Sequence, residues 1–229
     1  MNGRRFLSGI AALMATFAIC CGPAAAAAGT GITADEALQK LMDGNRHYVE
    51  QQMTNQKMCS QSIRESLAKG QKPYAIILSC SDSRVPPEII FDKALGEIFV
   101  VRVAGNVPDP IVLGSIEYAA EHLGSPLIMV LGHERCGAVT AAVDAKGKPE
   151  GNIGAIVKSI APAVAKAKKE YKGTDKAKLV ETAIDDNVKL VEAALTKQSP
   201  MLKHLAKEGK IRIIAAKYDL DDGKVTLMQ

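Results

Sequence analysis

Two cysteines and a histidine are the residues of this chain whose types and spacing could hold a metal. Cys80 heads the run Cys80, Ser81, Asp82, Ser83, Arg84, and the later run Gly132, His133, Glu134, Arg135, Cys136, Gly137 supplies the other two. Two thiolates and one imidazole form a three-ligand set for zinc, which takes sulfur and nitrogen donors tetrahedrally and keeps a fourth position open in catalytic sites. His133 and Cys136 are three residues apart, so one turn can point both inward, whereas folding must bring Cys80 to them. Asp82 can accept a hydrogen bond from a metal-bound hydroxide, and Arg84 can grip that carboxylate bidentately. Alternatively, Asp82 swings in as a fourth ligand and shuts the site. Two plainer readings are buried cysteines acting as small hydrophobes and a Cys80–Cys136 disulfide. Neither gives His133, Asp82 and Arg84 a joint purpose.

Each motif follows a run that reads as a buried strand, 74–79 and 127–131, so the ligand-type residues fall where strands end. That is where open α/β sheets keep their sites. Further strands are expected at 97–103, 211–216 and 224–228, the last after a turn at Asp221, Asp222 and Gly223. Helical spacing recurs over 34–49, where Thr33 and Glu36 offer a capping box, and over 60–69, 111–123, 136–143, 154–169, 176–198 and 199–207. Strands alternating with helices predict an α/β fold, a mainly parallel four- to five-stranded sheet flanked by helices. The helix opening at Cys136 would aim its N-terminal dipole at that thiol and lower its pKa.

With 229 residues and 47% apolar content, the chain is long enough for one domain with a substantial core. Of the net charge of +4, two units belong to Arg4 and Arg5, and the remaining +2 is too small and too evenly mixed for a nucleic-acid footprint. Residues 1–28 join that basic start to an apolar run and an alanine-rich end, and read as a secretory signal removed from a single domain at 29–229. The apolar run is shorter than the roughly 20 residues of a spanning helix. An exported protein, in the bacterial periplasm and off the membrane once the signal is removed, is therefore expected, by the general or the twin-arginine route. Cys20 and Cys21 leave with the signal, and Cys59 stands alone as a free thiol. His47, His122 and His204 lack partners in sequence, and Gly105–Asn106 and Gly114–Ser115 lack the spacing and lysine of a nucleotide cradle.

The chain resembles the β-class carbonic anhydrases through Cys-Ser-Asp-Ser-Arg-Val-Pro at Cys80 to Pro86 and Gly-His-x-x-Cys-Gly-Ala at Gly132 to Ala138. Residues 96–102 and 115–119 are also similar to the family, and the likeness runs from about Ala34 to Val225. It implies one zinc ion per chain on Cys80, His133 and Cys136, and reversible hydration of carbon dioxide to bicarbonate by zinc-bound hydroxide that Asp82 and Arg84 orient. It further implies Gln71, Phe99, Tyr118 and Gly137 as substrate-pocket residues, with Phe99 and Tyr118 reaching across a dimer interface. A homodimer or dimer of dimers follows, with an N-terminal helical arm on the partner subunit. The residues alone would make Gln71 a loop residue, Phe99 and Tyr118 ordinary core, and the first helices a surface pair. Ile77 stands where some members that favour a closed site carry tryptophan, and the chain has no tryptophan, so the open form is expected. Val103 replaces a frequent asparagine, and Lys217 is unusual. Two other functions fit the same ligand set: a zinc hydrolase of carbonyl sulfide or carbon disulfide, and a non-enzymatic zinc or thiol module.

Overall fold

The apolar runs form strands because every side chain in them finds a covered face. In the computed structural model, which describes residues 30–54, 60–147 and 151–229, β1 (Ala75–Ser79) and β3 (Leu127–His133) are buried at every position. Continuous burial is the mark of parallel strands covered on both sides. With β2 (Ile98–Arg102), β4 (Arg212–Tyr218) and β5 (Val225–Met228) they form a sheet of order β2-β1-β3-β4-β5. The first four strands run parallel and β5 returns antiparallel, which bears out the expected mainly parallel α/β sheet. The expected 1–28 signal and Cys59 lie outside the described residues. Among those described, no helix is long and apolar enough to cross a membrane.

On one face of the sheet, α4 (Pro110–Glu121), α7 (Lys176–Gln198) and α8 (Pro200–Lys207) cover Ile76, Leu78, Ile128 and Val130. The other face packs Ile77, Met129 and Leu131 against α1 (Ala34–Val49) and α3 (Pro87–Ile90). A third apolar cluster gathers α5 (Gly137–Asp144), α6 (Ile153–Glu170) and α7 around Cys80 and Cys136. This cluster is the dry wall of the site.

The two N-terminal helices differ in how they are held. Thr33 and Glu36 close the expected capping box at the start of α1, and Ala37 and Leu41 are fully buried against the chain's own sheet. Gly44 is required there, since a β-carbon would stand 1.7 Å from the Phe91 carbonyl oxygen. Asn45 then ties the helix to distant backbone: its amide donates to the Ile90 and Gly223 carbonyls, and its oxygen accepts from the Val225 N–H. By contrast, α2 (Gln61–Leu67) buries no residue.

β3 and β4 each run two residues past their apolar stretches, pairing Gly132 with Lys217 and His133 with Tyr218. A ladder of main-chain hydrogen bonds needs no apolar side chain to continue. The extension carries His133 on a strand end instead of a loop.

Candidate active site

Cys80 follows β1 directly, His133 ends β3, and Cys136 caps the N-terminus of α5. Because β1 and β3 are neighbours, with Ser79 opposite Leu131, their ends place Cys80 next to His133. No helical turn joins His133 to Cys136. Arg135 takes a left-handed backbone (φ 50°) that swings Cys136 back toward the histidine. The three donor atoms lie within 4.8 Å of one another, and all three residues are buried.

The tautomer of His133 follows from its partner. Nδ1 stands 2.8 Å from the Glu134 carbonyl oxygen, which can only accept, so Nδ1 carries the hydrogen and Nε2 is bare in the neutral ring. Nε2 is buried and has no hydrogen-bond partner. An orphaned nitrogen beside two sulfurs is costly unless something satisfies it. A metal ion that accepts both nitrogen and sulfur fits this donor set.

The sulfurs are 4.0 Å apart and both cysteines are free, far from the ~2.05 Å of a disulfide. Such close thiols share one charge. Cys80 is pushed down, chiefly by its hydrogen bond with the Cys136 thiol, with further help from the Gly105 N–H. Cys136 is driven up by the bond to Cys80 and by burial. The Val139 and Ala138 amides at the start of α5 do pull Cys136 downward, as the dipole argument expects, but they are outweighed.

Asp82 sits at the rim of this triad, with Oδ2 3.9 Å from His133 Nε2. Arg84 grips it bidentately, Nε to Oδ1 at 2.9 Å and Nη2 to Oδ2 at 2.8 Å, and the Arg84 N–H adds a third bond to Oδ1. These bonds hold the carboxyl well below the usual carboxylate range. The acid is thus turned toward arginine and outside the donor group.

Several supporting residues escaped sequence reasoning. Arg102, at the end of β2, clamps the Cys80 and Asp82 carbonyls at 3.0 and 2.6 Å. Its pairing opposite Ser79 brings the end of β2 to the first motif, a register that only the folded sheet shows. The Gly105 N–H donates to Cys80 Sγ at 3.3 Å, and the buried Asn187 amide on α7 holds the Gly105 carbonyl at 2.9 Å. Only glycine suits that position: its φ is +70°, and a β-carbon would meet Ile160 Cδ1 at 2.7 Å. At Val103 the main chain supplies the local bonding, donating to Ser79 and accepting from Asn106.

The remaining pocket candidates are dispersed. Gly137 lies exposed at the first turn of α5, with open space where a side chain would be. Phe99 on β2 and Tyr118 on α4 face each other at 6.4 Å on the sheet edge, and Tyr118 is 49% exposed, not core. Gln71 precedes β1, at the opposite end of that strand from Cys80, beside a surface cavity of about 520 Å³ lined also by Arg64, Leu67 and Leu95. The intervening five-residue strand alone spans roughly 16 Å, so Gln71 cannot reach its own chain's Cys80, His133 and Cys136. His47 pairs with Asp92, His122 lies tilted against the Tyr118 ring, and His204 pairs with Glu208.

Comparison with known proteins supplies the family. The carbonic anhydrase family model matches residues 75–225. Carbonic anhydrase 2 of Mycobacterium tuberculosis (strain ATCC 25618 / H37Rv) is 41% identical over 196 residues, covering 83% of this chain and 91% of that protein. Among solved structures, the Coccomyxa β-carbonic anhydrase in complex with acetazolamide aligns with a TM-score of 0.69 at 25% identity, over 83% of this chain and 86% of that one. The β-carbonic anhydrase CafA of Aspergillus fumigatus aligns at 0.68 and 26% identity, over 85% and 90%. Likeness of this extent in both sequence and fold, around a buried sulfur and nitrogen donor set, means that the chain belongs to the β-class carbonic anhydrases and is an enzyme of that family.

Proposed function

We propose that Cys80, His133 and Cys136 hold one zinc ion and that Asp82, steered by Arg84, orients the oxygen that attacks carbon dioxide, giving bicarbonate and a proton. The observation that carries this reading is the bare, buried Nε2 of His133 among two sulfurs, with an arginine-held carboxylate 3.9 Å away. Zinc, when bound, supplies a Lewis acid that acidifies coordinated water, less strongly between two thiolates and an imidazole than between three histidines. Asp82 is ionised throughout the neutral range, so it accepts a hydrogen bond and aims a lone pair; it cannot keep the proton that hydration releases. Arg84 fixes the direction of that acceptor. The apolar cluster behind Cys80 and Cys136 keeps bulk water off the ligands.

The weak acidification has a pH signature. Hydration measured by stopped flow with a pH indicator should rise from about pH 7 toward 8.5. Asp82, already ionised there, cannot produce such a rise. A flat profile in a zinc-loaded sample would contradict the charge argument.

The pocket is completed, in this reading, by a second copy of the chain. Gln71 is out of reach of its own ligands, nothing among the described residues pairs with the outer edge of β2, and Ile111 and Tyr118 stand 80% and 49% exposed on α4 beside it. Sedimentation should therefore return a dimer or larger, and a fully active monomer would exclude a shared pocket. We also read residues 1–28 as an export signal to the periplasm, which N-terminal sequencing of the protein recovered from a periplasmic fraction tests directly.

A further inference from the structure

Lys217 lies inside β4, paired on both sides, and its ammonium does not reach freely into water. Its side chain is only 20% exposed and lies under α7, where Nζ meets Glu181 Oε2 at 2.7 Å and Asp185 Oδ1 at 2.8 Å. Burial pulls the Lys217 pKa down, but the ion pairs with Asp185 and Glu181 prevail and raise it, so the residue stays charged. Glu181 and Asp185 are four residues apart on one helix face, where like charges repel. Lys217 turns that repulsion into a bridge.

The other oxygen of Glu181 has a different task. Oε1 accepts the Arg135 main-chain N–H at 2.8 Å. Arg135 is the left-handed residue between His133 and Cys136, a conformation that is strained for any side chain other than glycine and a few small polar ones. If residue 135 relaxed to an ordinary extended or right-handed backbone, Cys136 would no longer turn back toward His133. The same residue is held elsewhere, its guanidinium forked onto Asp221 at 2.9 and 3.0 Å and its carbonyl accepting from Arg84 at 3.4 Å. Only Glu181, however, holds its N–H among the described contacts.

We propose that Lys217, Asp185 and Glu181 form a positioning device that keeps Arg135 left-handed and thereby fixes the spacing of the His133 and Cys136 donors. The inference rests on the reading that these residues, with Cys80, hold a metal. None of the three is one of the donor residues. Their effect reaches the metal through one peptide N–H.

Zinc transfer from the purified protein to a chromophoric chelator tests this without recourse to activity. Wild type should hold one equivalent and Cys80→Ser none; a wild type without zinc would overturn the metal reading itself, whatever the Glu181 variants do. Glu181→Ala, which removes the acceptor, should release zinc about tenfold faster or more, the low end of what lost outer-sphere partners cost. Glu181→Gln keeps an acceptor for the Arg135 N–H and should stay much closer to wild type. Lys217→Met, which leaves Glu181 beside Asp185 without a counter-ion, should accelerate release in the same direction.

A double-mutant cycle separates positioning from general loosening of α7. In an Arg135→Gly background the left-handed backbone carries no strain, so adding Glu181→Ala should not speed release further. Equal acceleration in both backgrounds would overturn the proposal, as would wild-type release from Glu181→Ala.

Discussion

His133→Ala is expected to give a folded chain that keeps no zinc through dialysis and hydrates carbon dioxide no faster than buffer. The strand ladder that places residue 133 uses main-chain atoms, and Tyr218 still pairs opposite it. The metal site has no such reserve. Removing Nε2 leaves two sulfurs 4.0 Å apart, which share one charge through their mutual hydrogen bond. Two protein donors do not make the closed grip that zinc takes in proteins. Metal analysis with a hydration assay on the same sample measures both losses, and Cys80→Ser should behave alike. Stoichiometric zinc in His133→Ala would show that the ion sits elsewhere.

Asp82→Asn should separate binding from chemistry. The carboxylate lies outside the donor group, so zinc should remain, while hydration falls by roughly 100-fold, the scale of a misdirected reacting group. Asparagine loses the charge that Arg84 grips and offers a donor where only an acceptor is wanted. Arg84→Ala should fall less, because the residue-84 N–H still reaches Oδ1 at 3.0 Å while the two guanidinium bonds vanish. Loss of zinc from Arg84→Ala would instead give the arginine a part in assembling the site. Full zinc with no hydration in wild type and both variants would return the chain to a metal-storing module.

The parts of the site written on contiguous residues were legible before folding. Cys80, Asp82 and Arg84 share one loop, and placing both motifs after apolar runs was enough to bring His133 and Cys136 to them. The parallel sheet was legible for the same reason, since uninterrupted burial of β1 and β3 leaves a matching trace in sequence. What could not be read depends on contacts between distant segments. Arg102 reaches back 22 positions and Asn187 reaches back 82 to Gly105, and neither distance leaves a local pattern. The dipole argument for Cys136 identified a real force but could not weigh it against a second thiol 4.0 Å away. Lys217 looked merely odd, because its partners lie on a helix more than thirty positions earlier in the chain.

That pair of sulfurs sets a chronology for making the protein. With no ion between them, the two thiols need approach by only about 2 Å to reach covalent bonding distance, and any electron acceptor in an oxidising medium could then lock them together. If the pair holds zinc as proposed, the cation would also act as a protecting group, and a chain bound for an oxidising medium would have to meet the ion before an oxidant.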